Sequence, residues 1–333
     1  MIPMKNIAVI GAGGWGLALA LLLNEKGNSV TIWCYDEMEK NTILQHRENK
    51  RCLPGIKLPL EMAFLTDMEE VLKDKDVVIL AVPSKAIRQT SQLMKSYISK
   101  EAIIVNVSKG IENDTLLRLS EVIEQELPEN KVVVLSGPSH AEEVARHVPT
   151  AVAVSSKDLE SAELIQELFM SDYFRVYTND DLIGIEVGGA LKNVIALAAG
   201  VVEGMNYGDN TKAALITRGI AEITRLGVAM GGKASTFAGL AGIGDLVVTC
   251  TSGHSRNRRA GELLGQGYTI DEAIKKVNMV VEGVPTAKAA HALMLKYEIE
   301  MPIIDAVYET LFENKSTAEA IKLLMQRDKK SEL

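Results

Sequence analysis

A lysine, Lys192, lies within an almost wholly apolar stretch at residues 186–202 of this 333-residue chain. Apolar side chains recur there at helical spacing, which predicts a helix: Leu191, Ile195, Ala198 and Val202. Side chains on a helix lean toward its N-terminus and cover the preceding turn. That turn holds Gly188 and Gly189, which have no side chains to obstruct the ammonium group or anything that it contacts.

Two interpretations of Lys192 stay open from this stretch alone. It is either a solvated lysine at the rim of a buried helix or a buried ammonium group. An uncompensated buried charge is costly and persists only when it is paired or used in chemistry. In the second case Lys192 is a candidate acid–base group, and the rest of the chain must supply its partners.

A glycine-rich turn near the N-terminus is a second candidate site. The turn occupies residues 11–16, after an apolar strand at 6–10 and before an apolar helix. A second strand at 29–33 and an acidic residue after it complete a βαβ unit. Glycines allow the tight turn and the close approach of a pyrophosphate to the helix N-terminus. The pattern predicts dinucleotide binding at Gly11, Gly13, Gly14 and Gly16.

The alternation of strands and helices continues after this unit. Further strands are predicted at 77–81, 102–107, 132–135, 150–155 and 174–177. We therefore predict an α/β Rossmann domain, doubly wound, with a mainly parallel sheet. In such sheets ligands gather at the carboxyl ends of the strands, so the loops that carry Lys109 and Ser139 are expected to face the same crevice as the glycine turn. The alternative for Lys109 is a solvated loop lysine.

The strand pattern ends near residue 180, and helical periodicity takes over. Helices are predicted at 212–230, 255–265, 269–277, 285–295, 302–313 and 317–326. We therefore predict two domains. The dinucleotide-binding Rossmann domain comprises residues 1–184, and an all-α C-terminal domain at 185–333 serves substrate binding and dimerisation.

Composition excludes several classes of protein. The net charge is −8, from 36 basic and 44 acidic residues, and aromatic residues make up only 5%, which argues against nucleic-acid binding. Three cysteines without motif spacing indicate a reducing compartment and no metal cluster. The apolar run at 15–23 is too short for a membrane span and lacks a cleavage site. We expect a cytoplasmic protein with no membrane span.

A basic segment at residues 253–259 contrasts with the acidic chain. Arg256 beside Asn257 offers the donors that a phosphate or carboxylate group needs. The neighbouring Arg258 and Arg259 are predicted to be solvated. His140 and His254 have no ligand partner at metal spacing, so no metal site is predicted.

Several longer motifs point to one family. They are Gly-Ala-Gly-Gly-Trp-Gly at 11–16, Val-Ser-Lys-Gly-Ile-Glu at 107–112, Ser-Gly-Pro-Ser-His-Ala-Glu-Glu-Val-Ala at 136–145, Glu-Val-Gly-Gly-Ala-Leu-Lys-Asn-Val-Ile-Ala at 186–196, Asn-Thr-Lys-Ala-Ala-Leu-Ile-Thr-Arg-Gly at 210–219, Leu-Ala-Gly-Ile-Gly-Asp-Leu-Val-Val-Thr-Cys-Thr-Ser at 240–252, Ser-Arg-Asn-Arg-Arg at 255–259 and Val-Glu-Gly-Val-Pro-Thr-Ala at 281–287. In this order they resemble bacterial NAD(P)-dependent glycerol-3-phosphate dehydrogenase. The resemblance implies reduction of dihydroxyacetone phosphate to sn-glycerol 3-phosphate, a precursor of glycerophospholipids, usually by a homodimer.

The resemblance also implies roles for single residues. Lys192 would be the proton donor and acceptor, with Lys109 and Asp245 beside it in the catalytic group. The substrate would be bound by Lys109, Gly137, Ser139, Lys192, Asn193, Asp245, Thr249, Ser255, Arg256 and Asn257. The NAD or NADP cofactor would be bound by Gly11, Gly13, Gly14, Trp15, Gly16, Tyr35, Asp36, Lys109, Ala141, Arg256, Val280 and Glu282. Two departures stand out: Gly14 replaces a common serine, and Tyr35 replaces a frequent arginine.

Two rival functions are weighed against this one. Another β-hydroxyacid-type dehydrogenase would share the plan and the lysine, but a non-phosphorylated substrate needs no pair such as Arg256 and Asn257. A catalytically silent nucleotide sensor would have no reason to keep Lys109, Lys192 and Asp245 together with the basic segment.

Cofactor choice depends on the end of the second strand. A carboxylate there binds the ribose 2′-hydroxyl of NAD, whereas an arginine accommodates the 2′-phosphate of NADP. The chain has Cys34-Tyr35-Asp36 at this point, with Lys40 as the nearest downstream cation. We expect weak discrimination between the cofactors and better use of NADH than in relatives with arginine. The alternative is that Asp36 only caps the following helix.

Overall fold

The first half of the chain forms one twisted eight-stranded sheet. The computed structural model describes residues 3–329 and 331–332. The strands are β1 Asn6–Ile10, β2 Ser29–Trp33, β3 Ala63–Leu65, β4 Val77–Leu80, β5 Ile103–Asn106, β6 Val132–Ser136, β7 Thr150–Ser156 and β8 Phe174–Thr178. Their order is β3-β2-β1-β4-β5-β6-β7-β8. All neighbours pair in parallel except β6 and β7, which are antiparallel. The predicted doubly wound, mainly parallel sheet is confirmed.

Helices cover both faces of this sheet, as parallel strands require. They are α1 Gly14–Glu25, α2 Glu37–His46, α3 Met68–Leu72, α4 Ile87–Met94, α5 Leu119–Glu126, α6 Ala141–Val144 and α7 Leu159–Phe169. Residues of β1 belong alternately to two apolar clusters, with Ile7 and Val9 in one and Ala8 and Ile10 in the other. Burial on both faces explains why the central strands are continuous apolar runs rather than alternating ones.

The second half is entirely helical in the part that the structure describes. The helices are α8 Leu182–Gly204, α9 Asp209–Ala229, α10 Ala234–Phe237, α11 Asp245–Thr251, α12 Arg256–Gly265, α13 Ile270–Val277, α14 Gly283–Lys296, α15 Pro302–Phe312 and α16 Thr317–Met325. Helices α9, α10, α11, α12, α14 and α15 pack around the central helix α8, which contributes more residues to the second core than any other helix. The predicted all-α character of this half is confirmed.

Two helical stretches are long and apolar enough to cross a membrane by length and composition alone. In α8, 89% of the apolar window is buried within the protein, which is typical of a core helix. The other stretch, residues 234–251, contains α10 and α11 and is interrupted at Gly242, whose φ of −100° and ψ of −106° are not helical.

The helices α8 and α12 approach each other unusually closely through glycines on both sides. A Cβ atom built on Gly200 would lie 2.0 Å from the carbonyl oxygen of Arg258, and one built on Gly261 would lie 2.0 Å from that of Leu197. Gly204 and Gly265 make the same kind of backbone contact one turn further on. Only residues without a side chain allow this spacing, so the glycines fix the position of α12 relative to α8.

A buried ion pair ties the start of α8 to the sheet half. The Arg118 guanidinium donates to Oε2 of Glu186 at 2.5 Å, and the Ser120 backbone nitrogen donates to Oε1 at 2.8 Å. Burial raises the pKa of Glu186, although Arg118 opposes the effect. Because Glu186 lies in α8 ahead of Lys192, this network positions the helix that carries the lysine.

One strand and several short helices were not predicted from the sequence. The edge strand β3 has only three residues, too few to show a periodicity. The short helices α3, α5 and α6 of the sheet half and α10 and α11 of the helical half are also missing from the predicted set. Between the last two, the small residues 239–244 suit close packing rather than showing a helical period. In the structure, residues 240–244 form an irregular helical turn, broken at Gly242, that leads into α11.

Candidate active site

Lys192 is buried and paired with a carboxylate. The residue is 7% exposed, and its ammonium group hydrogen-bonds Oδ1 of Asp245. It also donates to the Thr249 hydroxyl oxygen at 2.8 Å. The Thr249 hydroxyl in turn donates to the Asp245 backbone carbonyl oxygen at 2.6 Å, so its lone pair is directed at the lysine. Of the two interpretations left open, the structure supports the buried and paired lysine.

A second lysine shares the same carboxylate. Lys109 donates to Oδ2 of Asp245 at 2.6 Å and to the carbonyl oxygen of Gly137 at 2.9 Å. Asp245 has no exposed surface, and each of its oxygens accepts a bond from one lysine. Two ammonium groups therefore face one carboxylate, which leaves the cluster with a formal excess of one positive charge.

Burial is the main cause that lowers the pKa of Lys192 to about 7. The Asp245 carboxylate opposes this shift, and the neighbouring Lys109 ammonium adds to it. Removal of the ammonium from water disfavours its charged form, as does a like charge nearby. A lysine with a pKa near neutrality can both give and accept a proton at physiological pH.

The two glycines ahead of Lys192 do not have the predicted role of leaving room for its ammonium group. A Cβ atom on Gly188 would lie 2.5 Å from the carbonyl oxygen of Ala241, so this glycine admits the turn before α11. A Cβ atom on Gly189 would lie 2.6 Å from the Ser136 hydroxyl oxygen and 3.6 Å from Cγ of Lys109. The glycines therefore leave room for the segment that carries Asp245 and for the stem of Lys109, rather than for the ammonium of Lys192.

In the basic segment, Arg256 is an exposed cation and Asn257 is a buried amide. Arg256 is exposed at the first position of α12. The Asn257 side chain is buried; it donates to Oδ1 of Asn193 at 2.8 Å and accepts from the Gly283 backbone nitrogen at 2.8 Å. Ser255 caps α12 by accepting from the backbone nitrogen of Arg258. Asn257 thus connects α12 with α8 and α14 while its neighbour Arg256 faces solvent.

The prediction that Arg258 is solvated is wrong. The residue is 8% exposed, and its guanidinium lies 2.7 Å from the Glu203 carboxylate. The guanidinium also donates to the carbonyl oxygen of Ser252 at 2.9 Å. A helix start rich in arginine suggests solvation, but the glycine contact between α8 and α12 draws this residue against α8. Arg259 is exposed, as predicted.

The glycine-rich turn has the shape that a pyrophosphate requires. Gly11 has a φ of +118°, and a Cβ atom there would lie 2.7 Å from the carbonyl oxygen of Ala81. A Cβ atom on Gly16 would lie 2.3 Å from the carbonyl oxygen of Gly11, whereas one on Gly13 would meet no atom within 4 Å. No side chain caps α1 at Gly13. Open space in front of an uncapped helix N-terminus fits the anionic part of a dinucleotide.

The remaining predicted residues make the following contacts. The Glu282 carboxylate accepts from the Ser84 backbone nitrogen at 2.9 Å and from its hydroxyl at 2.5 Å. Ser139 donates to the carbonyl oxygen of Gly137 at 2.9 Å. Three further residues are placed as follows: Trp15 packs on the first core, Ala141 begins α6, and Val280 is exposed. Ser84 was not predicted as a site residue, although it follows the carboxyl end of β4, where ligands of such sheets gather.

At the end of β2, Asp36 caps the next helix. Its Oδ1 accepts from the backbone nitrogen of Glu39 at 2.7 Å. This contact is the helix cap that was the alternative interpretation of Asp36. Tyr35 is 80% exposed and lies edge-on to Trp33. Lys40 is paired with Glu37 at 2.7 Å.

The histidines lie close to each other but form no metal cluster. The ring centroids of His140 and His254 are 5.8 Å apart. Burial lowers the pKa of His140, and the positive charge of Lys192 lowers it further. Among the described residues, no group of three or more His, Cys, Asp or Glu side chains could hold a metal ion. Cys34, Cys52 and Cys250 are all unpaired.

Comparisons with known proteins agree over the whole chain. The profiles of the NAD-dependent glycerol-3-phosphate dehydrogenase N-terminus and C-terminus match residues 6–162 and 181–322. The chain is similar to proteins named glycerol-3-phosphate dehydrogenase [NAD(P)+] from Fusobacterium nucleatum, at 57% identity over 99% of both chains, and from Bacillus subtilis, at 53% identity over 99% of this chain and 96% of the relative. The crystal structure of glycerol-3-phosphate dehydrogenase from Coxiella burnetii superposes with a TM-score of 0.94, at 38% identity, over 97% of this chain and 99% of that one.

Proposed function

The chain belongs to the NAD-dependent glycerol-3-phosphate dehydrogenase family, and we propose that it performs this family's reaction with Lys192 as the acid–base group. The chain is an NAD(P)-dependent oxidoreductase that reduces dihydroxyacetone phosphate to sn-glycerol 3-phosphate. The main support for this role of Lys192 is that it is buried, with Asp245 and Lys109 beside it.

Reduction of the ketone creates negative charge on its oxygen. Lys192 donates a proton to this oxygen as the charge develops, and it takes the proton back when the alcohol is oxidised. A pKa of about 7 keeps both forms accessible near neutral pH, which is the condition for efficient general acid–base catalysis. Lys109 is a second positive group that stabilises the developing alkoxide.

Asp245 holds the two ammonium groups in place. Its carboxylate has no exposed surface and accepts from both lysines, so neither side chain is free to choose another rotamer. Thr249 fixes the Lys192 nitrogen from a third direction. Such positioning avoids reorganisation during the reaction, and this is the main source of electrostatic catalysis.

The substrate phosphate binds at the basic segment. The excess positive charge of the lysine cluster and the exposed Arg256 favour a dianion over a neutral substrate. Asn193, Ser255 and Asn257 shape this part of the pocket from α8 and α12. A β-hydroxyacid also carries a carboxylate, but a phosphate dianion has more negative charge and more acceptor oxygens for these groups, so the phosphorylated substrate is the better fit.

The nicotinamide cofactor, when bound, supplies the hydride. Gly11, Gly13, Gly14 and Gly16 would hold its pyrophosphate at the N-terminus of α1. Other residues of the crevice would position the remainder: Trp15, Tyr35, Asp36, Lys109, Ala141, Arg256, Val280 and Glu282. The fit rests on the open space at Gly13 and the uncapped helix.

The setting of the enzyme is part of the proposal. The family resemblance supports a cytoplasmic homodimer that supplies glycerophospholipid synthesis and acts on small phosphorylated substrates. We also propose that the chain consists of a Rossmann domain at residues 1–184 and a helical domain at residues 185–333. Light scattering would give the oligomeric state, and limited proteolysis would test the domain boundary.

One assay tests the function. Purified protein is mixed with dihydroxyacetone phosphate and NADH or NADPH, and loss of absorbance of the reduced nicotinamide is followed. We expect oxidation with the phosphorylated ketone and far less with dihydroxyacetone or a β-keto acid. Cofactor binding without turnover on any of these substrates would favour the nucleotide sensor instead.

A further inference from the structure

A surface segment that follows α2 is attached to the glycine-rich turn. The Asn49 side chain donates to the carbonyl oxygen of Ala12 at 2.9 Å. A Cβ atom on Gly14 would lie only 2.5 Å from the carbonyl oxygen of Cys52. The residue between these two contacts, Arg51, is therefore held beside the turn that faces the cofactor.

Arg51 also reaches the end of β2. Its Nη2 atom lies 3.3 Å from Oε1 of Glu39 in the first turn of α2. The backbone nitrogen of the same Glu39 is bound by the capping residue Asp36, which follows β2 directly. This is the place where dinucleotide-binding domains distinguish a ribose 2′-hydroxyl from a 2′-phosphate.

Arg51 is better suited than Lys40 to meet a phosphate here. Lys40 is tied to Glu37, with 2.7 Å between their charged atoms, and a lysine is a point charge without a fork of donors. The Arg51 side chain is 66% exposed; it lies 3.3 Å from Oε1 of Glu39 and also hydrogen-bonds the Cys52 side chain. Exposed pairs of this kind are weak, so the guanidinium is available to a stronger acceptor.

We propose that the ion pair between Arg51 and Glu39 sets the choice between NADH and NADPH. This inference rests on the proposed cofactor site. Arg51 replaces the arginine that is missing at position 35, but Glu39 neutralises it. A 2′-phosphate must displace Glu39 and approach its negative charge, whereas NADH binds without disturbing the pair. The pair thus allows NADPH to bind but limits how strongly the enzyme prefers NADPH over NADH.

Three variants test the proposal: Glu39→Gln, Arg51→Gln and the double variant. Affinities for NADH and NADPH are measured by nicotinamide fluorescence without substrate, and kcat/KM is measured with dihydroxyacetone phosphate. Glu39→Gln should shift the NADPH-to-NADH ratio about 3- to 10-fold toward NADPH, and Arg51→Gln should shift it about as far toward NADH. The double variant should behave as Arg51→Gln, because Glu39 acts through Arg51.

A matched control is Glu124→Gln, which removes a carboxylate paired with Lys157 at 2.6 Å on α5. It should leave the ratio unchanged. The proposal is overturned if Glu39→Gln and Arg51→Gln leave the ratio at the wild-type value, or if they change the affinities for both cofactors equally. Protein that binds both cofactors but reduces no substrate would refute the proposed reaction. The ratio of its affinities for NADH and NADPH would still test the role of the Arg51–Glu39 pair. Protein that binds neither cofactor would overturn both.

Discussion

The ammonium nitrogen of Lys109 lies 2.6 Å from Oδ2 of Asp245, and Lys192 hydrogen-bonds the other oxygen of the same carboxylate. Lys109 follows β5 in the sheet half, whereas Lys192 and Asp245 belong to α8 and α11 in the helical half. The Lys192 ammonium group therefore has its electrostatic partners on both halves of the chain. Its properties depend on how these halves meet.

The first prediction concerns pH. Reduction needs the protonated form of Lys192, which is lost as pH rises through its pKa of about 7. Oxidation of glycerol 3-phosphate needs the neutral form, which appears over the same range. We expect kcat/KM for reduction to fall, and that for oxidation to rise, between pH 6.5 and about 8.5. Profiles that are flat in both directions over this range would contradict the assignment.

A change at the phosphate site should alter substrate preference. Arg256→Lys keeps the charge but loses the fork of donors, so kcat/KM for dihydroxyacetone phosphate should fall about 10-fold. The preference for dihydroxyacetone phosphate over dihydroxyacetone should fall by a similar factor. Arg259→Lys, which changes an exposed arginine of the same helix, is the control. If Arg256→Lys keeps the wild-type preference, Arg256 does not bind the phosphate.

The end of β2 should respond to an added arginine. Tyr35 is exposed, so Tyr35→Arg can present a guanidinium to a 2′-phosphate without disturbing a core. We expect the ratio of kcat/KM values to move toward NADPH. Tyr177→Arg, at an exposed tyrosine of β8, should leave it unchanged. A native enzyme with strong NADPH selectivity, unaltered by Tyr35→Arg, would refute the expected weak discrimination.

The glycine contact between α8 and α12 should be sensitive to a single methyl group. Gly261→Ala places a Cβ atom 2.0 Å from the carbonyl oxygen of Leu197, so the helices must separate. We expect a loss of about 1–3 kcal/mol in the free energy of unfolding, measured by urea denaturation. Gly253→Ala, where a Cβ atom meets nothing within 4 Å, is the control. Equal stability of the two variants would show that the contact tolerates separation.

Much of the fold could be predicted because its signals are local. The apolar strand at residues 6–10, the glycine turn and the strand at 29–33 each follow from neighbouring residues, and all are found in the structure. The three residues of β3 carry too little pattern to be recognised. They form a strand because the neighbouring β2 offers hydrogen bonds, which is a tertiary effect.

Candidate site residues could be singled out from the sequence, but their arrangement could not. Lys192 is conspicuous as a charge in an apolar helix, but nothing local shows that Asp245 would bond both lysines. The burial of Arg258 and the inward-facing amide of Asn257 follow from the close approach of α12 to α8. Contacts between distant segments of the chain decide these features, and no local spacing encodes them.

The central claim is that Lys192 carries the proton, and Lys192→Met tests it most directly. Turnover with dihydroxyacetone phosphate is measured beside NADH binding and thermal unfolding, with Lys288→Met, at an exposed lysine of α14, as the control. We expect Lys192→Met to bind NADH and unfold cooperatively while kcat falls by roughly 10²–10⁴-fold or more, and Lys288→Met to match the wild type. A Lys192→Met enzyme with near-normal kcat would contradict the account.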